Sequence, residues 1–239
     1  MRTLVFDIET VGEEWESLDQ VTQQELTAWV DRTVSDQEQR ALRIADIKER
    51  LSLSPFTGVV VSLAVYDVER GRGAVYYSGS GADTESVVDG FVYKERSEAA
   101  LLQEFWVGAA DYDVFISFCG RAFDVPFLLH RSLAHSITPS QDLLRRRYLS
   151  QQKRPYHIDL QDELTFYGAM RRSPSLHMLC RTYGIDSPKQ VASGADVTRL
   201  YHEGKYVDIA KHNVEDVIAT NELYKKWCTH LAPKPFRLL

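Results

Sequence analysis

Four acidic side chains, Asp7, Glu9, Asp124 and Asp216, stand in surroundings that ordinary surface charges do not occupy. Asp7 and Glu9 lie two apart in Leu4-Val5-Phe6-Asp7-Ile8-Glu9-Thr10. The two-residue period of a strand puts Leu4, Phe6 and Ile8 on one side and Val5, Asp7 and Glu9 on the other. Two carboxylates on an apolar strand are costly unless cations or hydrogen bonds compensate them. Hydrolytic phosphoryl transfer needs this kind of ligand, because several hard oxygens must converge on two divalent cations about 4 Å apart. A solvent-facing sheet edge would show the same Asp-x-Glu pattern, so the pair acquires meaning only with partners from elsewhere in the chain.

Asp124 follows the apolar run 113–118 and the turn Cys119-Gly120-Arg121, just before a helix whose first turn holds Pro126. Its position is also that of a helix N-cap, a role favoured for aspartate. Asp216 falls in a helix over about residues 205–227 with three stripes. Lys211, Glu215, Glu222 and Lys226 form a solvated stripe, and Val214, Val217 and Ile218 an apolar one predicted to face the core. His212, Asp216, Ala219 and Leu223 form the third, so Asp216 is off the charged face and has an imidazole one turn before it. Asp159, in Asp159-Leu160-Gln161-Asp162, reads as a helix cap. The remaining histidines lack zinc-site spacing.

The elements that must carry these residues follow from local pattern. Strands are predicted over 3–10, 57–68, 73–78 and 113–118, with a short fifth ending at Asp159. Those over 57–68 and 73–78 pair and suggest an antiparallel meander. Helices are predicted over 23–29, 37–51, 97–108 and 125–135, then from Asp159 through Tyr167, and from Ser173-Pro174 to a stop at Gly184. The charged stretch of about 12–55 reads as a helical insertion. Strands first and helices later give an α/β fold with a mixed five-stranded sheet flanked by helices.

With 239 residues and 44% hydrophobic composition, the chain can bury one sizeable core, and one domain over 1–239 is expected. No window is apolar enough for a membrane span, and the start of the chain lacks the pattern of a secretory signal, which points to the cytoplasm. Cys119, Cys180 and Cys228 have no CxxC spacing and read as reduced. A formal charge of −6 opposes general affinity for phosphate backbones, yet Arg145-Arg146-Arg147, Lys153-Arg154 and Arg171-Arg172 make the middle of the chain locally basic.

Taken in order, Phe6-Asp7-Ile8-Glu9-Thr10, Phe123-Asp124-Val125-Pro126-Phe127-Leu128 and His212-Asn213-Val214-Glu215-Asp216-Val217 resemble the three exonuclease motifs of the DEDD superfamily. The chain is most similar to bacterial 3'-5' exonucleases related to the proofreading domain of family B DNA polymerases. The likeness extends to His157-Ile158-Asp159-Leu160, Ser175-Leu176 with Tyr183-Gly184-Ile185, and Ser187-Pro188-Lys189. The resemblance implies a ribonuclease H-like fold and two cations, Mg²⁺ or Mn²⁺. Asp7 would bridge both ions, with Glu9 and Asp216 on the nucleophile side and Asp124 toward the leaving group. His212 would orient or deprotonate water. One departure stands out, since a histidine occupies the slot four before Asp216 that holds tyrosine in one branch of the superfamily. The implied substrate is the 3' end of a single-stranded nucleic acid, DNA favoured and RNA possible, with nucleoside monophosphates released. Phe118 and Phe123 could support its terminal base, and Arg121 and Lys189 could meet phosphates. A metal-dependent endonuclease and a non-catalytic binding module are the rival readings.

Overall fold

The computed structural model describes residues 1–81, 83–186 and 194–236. The expected alternation of the first strand is visible in its packing. On β1 (Thr3–Gly12), Leu4, Phe6 and Ile8 are buried in one apolar cluster and Val5 in another, on opposite faces of the sheet. β2 (Gly58–Asp67) and β3 (Arg72–Tyr77) continue from β1 as the antiparallel meander. β6 (Val114–Ser117) lies parallel to β1 on its other side, and β7 (Tyr156–Asp159) lies parallel to β6.

Among the described residues the sheet has seven strands rather than the expected five, in the order β4 (Glu85–Val88), β5 (Phe91–Glu95), β3, β2, β1, β6, β7. The five expected strands form one contiguous block. The additions are β4, exposed throughout, and β5, which runs parallel to β3. They form a hairpin around Asp89 and Gly90, both in the left-handed region (φ 49° and 81°). Asp-Gly between alternating residues is the signal for this tight turn, and it is present in the sequence. The polar, exposed strand before it hides the pattern.

Helices cover both faces. α3 (Glu98–Ala109), N-capped by Ser97, and α4 (Asp124–Ala134) cover the Phe6 face with Leu101, Leu102, Phe105, Trp106, Phe127 and Leu128. α8 (Tyr206–His230) crosses the Val5 face, burying Val214, Val217, Leu223 and Trp227. Ile218, expected among the core residues, is 41% exposed, because the buried stripe turns instead through Ala210, Asn213 and Val217. A fully buried aromatic or leucine contributes roughly 1.5–3 kcal/mol. Packed on both sides, β1 is therefore held as a rigid support for its two carboxylates.

The insertion is a pair of helices, α1 (Gln20–Thr33) and α2 (Gln37–Glu49), capped by Asp19 and Asp36. Val30 is their only buried residue. The base of this arm is stitched to the end of β1 by Thr10 Oγ1 donating to the Ser52 carbonyl, and Thr57 Oγ1 donates to that of Leu51. After β7 the helix α5 (Leu160–Leu164) ends earlier than expected, where Phe166 and Tyr167 adopt positive φ. α6 (Leu176–Tyr183) is capped by Ser175, two residues beyond the expected start, and stops at Gly184 (φ 65°). α7 (Gly194–His202) precedes α8. Ser187-Pro188-Lys189 lie outside the described residues. Among those described, no helix is long and apolar enough to cross a membrane.

Candidate active site

β1 and α8 bring Asp7, Glu9 and Asp216 together, with one oxygen of each within 4.8 Å of the others. Burial raises the pKa of every member. Asp7 is held well above the usual carboxylate range by desolvation and then by the charges of Asp124, Asp216 and Glu9. Glu9 is pushed up to about 8 by desolvation and by Asp216 and Asp124. Asp216 rises to about 6, through desolvation and the neighbouring Glu215. Among the described residues, no lysine or arginine pairs with any of them. Half-buried carboxylates lacking a cation but sharing one small volume fit a hard divalent ion, whose ligands are oxygens and whose charge would offset theirs.

The protein's own support for Asp7 is neutral. Asn213, fully buried on α8, donates from Nδ2 to Asp7 Oδ2 at 2.6 Å and accepts at Oδ1 from Ser62 Oγ at 2.8 Å. Ser62 stands opposite Glu9 on β2, next to a register shift between Glu9 and Thr10. Such bulges re-aim side chains beside active sites. Sequence reading passed over Asn213, although a polar residue on a stripe with Ile209, Ala210 and Val217 was the available signal. Asn213→Ala is expected to lower turnover about 10–100-fold, the usual effect of losing a partner that orients a metal-ligating carboxylate. It should also cost roughly 1–3 kcal/mol by stranding the Ser62 hydroxyl. Steady-state kinetics alongside thermal melts would show both, and undiminished turnover would remove Asn213 from the positioning machinery.

Asp124 is buried close to the trio but is not among the three whose oxygens meet. It is also no N-cap. Phe123 occupies that position, and Asp124 Oδ1 instead accepts from the Ile8 amide of β1 at 3.1 Å. Its pKa rises to about 7, chiefly by desolvation and against hydrogen bonds from its own and the Ile8 amides. The turn before it is clamped by Asp159. That carboxylate caps α5, as the sequence suggests, and also accepts from the amides of Cys119 (3.0 Å) and Arg121 (2.9 Å). The second role depends on β6 and β7 being neighbours, with Ser117 opposite Asp159. Cys119 sits at φ 63°, a conformation costly for a non-glycine residue.

A Cβ on Gly120 would lie 2.3 Å from Ser117 Oγ and 2.5 Å from Ser117 Cβ. Ser117 cannot retreat easily, since it is buried and hydrogen-bonded to His157 Nε2 at 2.8 Å. Gly120→Ala is thus expected to destabilise the fold by roughly 1–3 kcal/mol, as overpacking does, and to displace Asp124. A chemical denaturation midpoint equal to wild type would contradict this.

His212 is half-buried on the same face of α8 as Asp216, one turn before it. Arg121 is spent structurally, its guanidinium donating to the carbonyls of Leu143 and Leu144 at 3.0 Å. Phe118 and Phe123 pack partly into the clusters on opposite sheet faces. Lys189 lies outside the described residues.

No curated protein matches this chain. Among solved structures, it is similar to the family B DNA polymerase from the hyperthermophilic archaeon Pyrobaculum calidifontis, with TM-score 0.59 and 18% identity. That match covers 95% of this chain and 24% of the polymerase, so the chain spans about a quarter of the polymerase's length. At this identity the likeness establishes the fold, a ribonuclease H-like mixed sheet flanked by helices. A family model matches residues 74–232, about two-thirds of the chain, beginning after β1 and including Asp124, His212 and Asp216. The chain therefore belongs to the family of predicted 3'-5' exonucleases related to the exonuclease domain of PolB.

Proposed function

We propose that the protein is a 3'-5' exonuclease of single-stranded nucleic acid, with DNA favoured and RNA also accepted, formed by one catalytic domain over residues 1–239. The observation that carries this reading is the meeting of Asp7, Glu9 and Asp216 within 4.8 Å, with no lysine or arginine paired to them among the described residues. Asp7, Glu9 and Asp216, with Asp124 beside them, would hold two divalent cations, Mg²⁺ or Mn²⁺. When bound, such ions supply Lewis-acid activation of water and neutralise charge at the scissile phosphate.

The chain's own residues do the positioning. Asn213 fixes Asp7, the Ile8 amide fixes Asp124, and His212 orients the attacking water and takes its proton. Water oxygen bonds to the terminal phosphorus and the bond to the 3'-oxygen breaks. A nucleoside monophosphate leaves, and the departing 3'-oxygen takes a proton from solvent to become the shortened strand's new 3'-hydroxyl. Cys119, Cys180 and Cys228 are free thiols, in keeping with a reducing cytoplasm.

The test uses 5'-labelled single strands of DNA and RNA with Mg²⁺, with Mn²⁺ and without metal. Stepwise shortening from the 3' end with released mononucleotides is expected. Internal cuts would instead make the protein an endonuclease, and metal-independent binding without turnover a non-catalytic module.

A further inference from the structure

The loop between α4 and β7 holds more positive charge than the fold uses. Several contacts fix it in place. Arg121 and His157 Nδ1 bind the Leu143 carbonyl, and the Gln152 side chain pairs with the His157 main chain, donating to its carbonyl (2.9 Å) and accepting from its amide (2.7 Å). Arg147 donates twice to the Asp162 carboxylate, at 2.6 and 2.9 Å, and Arg154 pairs with Asp113 at 3.2 Å.

Three cations of the same loop remain. Arg145, Arg146 and Lys153 are exposed, have no ion-pair partner among the described residues, and together with Gln151 line a cleft of about 420 Å³. Three like charges around one cleft, in a chain of net charge −6, repel one another unless a polyanion lies between them. Tyr148 in the same loop is 47% exposed and leans on Tyr167 with ring centroids 4.8 Å apart. Cations interleaved with an exposed aromatic suit a single strand, whose phosphates meet the charges while a base stacks. An anionic lipid surface would attract the same cations but offers no base to stack on Tyr148.

We infer that the cleft lined by Arg145, Arg146 and Lys153, together with Tyr148 of the same loop, binds the backbone of single-stranded nucleic acid a few nucleotides inside the strand's 3' end. The inference rests on the exonuclease reading of the carboxylate site. Its placement follows from the sheet. Asp159 ends β7 beside the turn that leads to Asp124, whereas Lys153 lies just before β7 begins. The cleft is thus separated from the carboxylates by on the order of 10–15 Å of strand. It would hold a long substrate and leave a very short one untouched.

The test compares wild type with the triple variant Arg145→Glu/Arg146→Glu/Lys153→Glu, and with its Gln counterpart should charge reversal disturb folding. Binding of a fluorescent single strand of about twenty nucleotides is measured without divalent metal across a salt series. Affinity should fall at least about tenfold at low salt, and the slope of log affinity against log salt should shrink by roughly 2, as three lost phosphate contacts require. Tyr148→Ala should weaken binding with the slope unchanged. With Mg²⁺ or Mn²⁺, the rise in KM on the long strand should exceed that on a dinucleotide about tenfold. Equal effects on both lengths, unchanged strand affinity, or adsorption to anionic vesicles without loss of strand affinity would overturn the inference. If wild type binds the strand and the triple variant does not, yet neither hydrolyses it, the exonuclease reading fails while the cleft stands.

Discussion

Asp7→Asn is expected to abolish hydrolysis and at the same time to make the metal-free protein harder to unfold. The first effect follows from position, because Asp7 meets Glu9 and Asp216 and also feels the charge of Asp124. Replacing it with a neutral isostere removes a ligand on which both ions would depend. A loss of about a thousandfold or more, over ~4 kcal/mol of transition-state stabilisation, is expected in single-turnover assays. The second effect has the opposite sign. Without metal, Asp7 must either carry a charge beside Glu9 and Asp216 in a desolvated volume or take up a proton, and a neutral isostere avoids both costs while Asn213 still finds an oxygen to donate to. A rise in melting temperature at pH 8 in chelator is the measurement. Loss of activity accompanied by loss of stability would mean that Asp7 serves the fold rather than a functional site.

Stabilisation by divalent metal should grow steeply with pH. The folded pKa values of Asp216, Asp124 and Glu9 are raised to about 6, 7 and 8 from ordinary values of 3.8, 3.8 and 4.5. A raised carboxyl leaves the folded state holding more protons than the unfolded one. Its contribution is therefore full below the ordinary value and is lost as pH climbs through the folded value. Asp216 alone, once ionised, costs roughly 3 kcal/mol. His157 works in the other direction. Burial lowers its pKa to about 3 against a Leu143 hydrogen bond, so its contribution is lost as pH falls from about 6.5 toward 3 and is complete above neutrality.

The comparison that isolates the carboxylates is thus the metal-dependent gain in melting temperature at each pH, in which His157 cancels. The carboxylates' contribution to the metal-free protein should fall from about pH 4 to about pH 8, the interval between their ordinary and folded values. Saturating Mg²⁺ or Mn²⁺ should restore about 5–10 °C at pH 8.5 and little at pH 5.5, where the ligands hold protons. A flat difference across this range would show that the acidic groups do not share an ion.

Much of the site was readable from local pattern. The two-residue period placed Asp7 and Glu9 on the face opposite Phe6 because strand geometry leaves no other arrangement, and the order of the three motifs carried the family likeness. The 3.6-residue period put His212 and Asp216 on one stripe of α8, away from Lys211 and Glu215. Caps such as Ser97 and Asp159, and the stop at Gly184, were legible because each is satisfied within a few residues of its own position. The Asp89-Gly90 turn is equally local, but the exposed strand leading into it carries no alternating burial pattern to announce a hairpin.

Tertiary structure decided what no short window contains. Asp124 looks like an N-cap in sequence, but its carboxylate takes the Ile8 amide, 116 residues away. Asn213 becomes the support of Asp7, 206 residues distant, only because α8 crosses β1 and β2 at that point. Asp159 gains its hold on the Cys119 turn, and Arg121 its grip on the Leu143 loop, from the pairing of β6 with β7. Sequence by itself determines which side chains can carry charge and which face of its own element each occupies, since backbone geometry acts over a few residues. Which of those faces meet, and how far the resulting crowding shifts their proton affinities, is set by packing between distant segments, because desolvation and Coulomb repulsion depend on through-space distance.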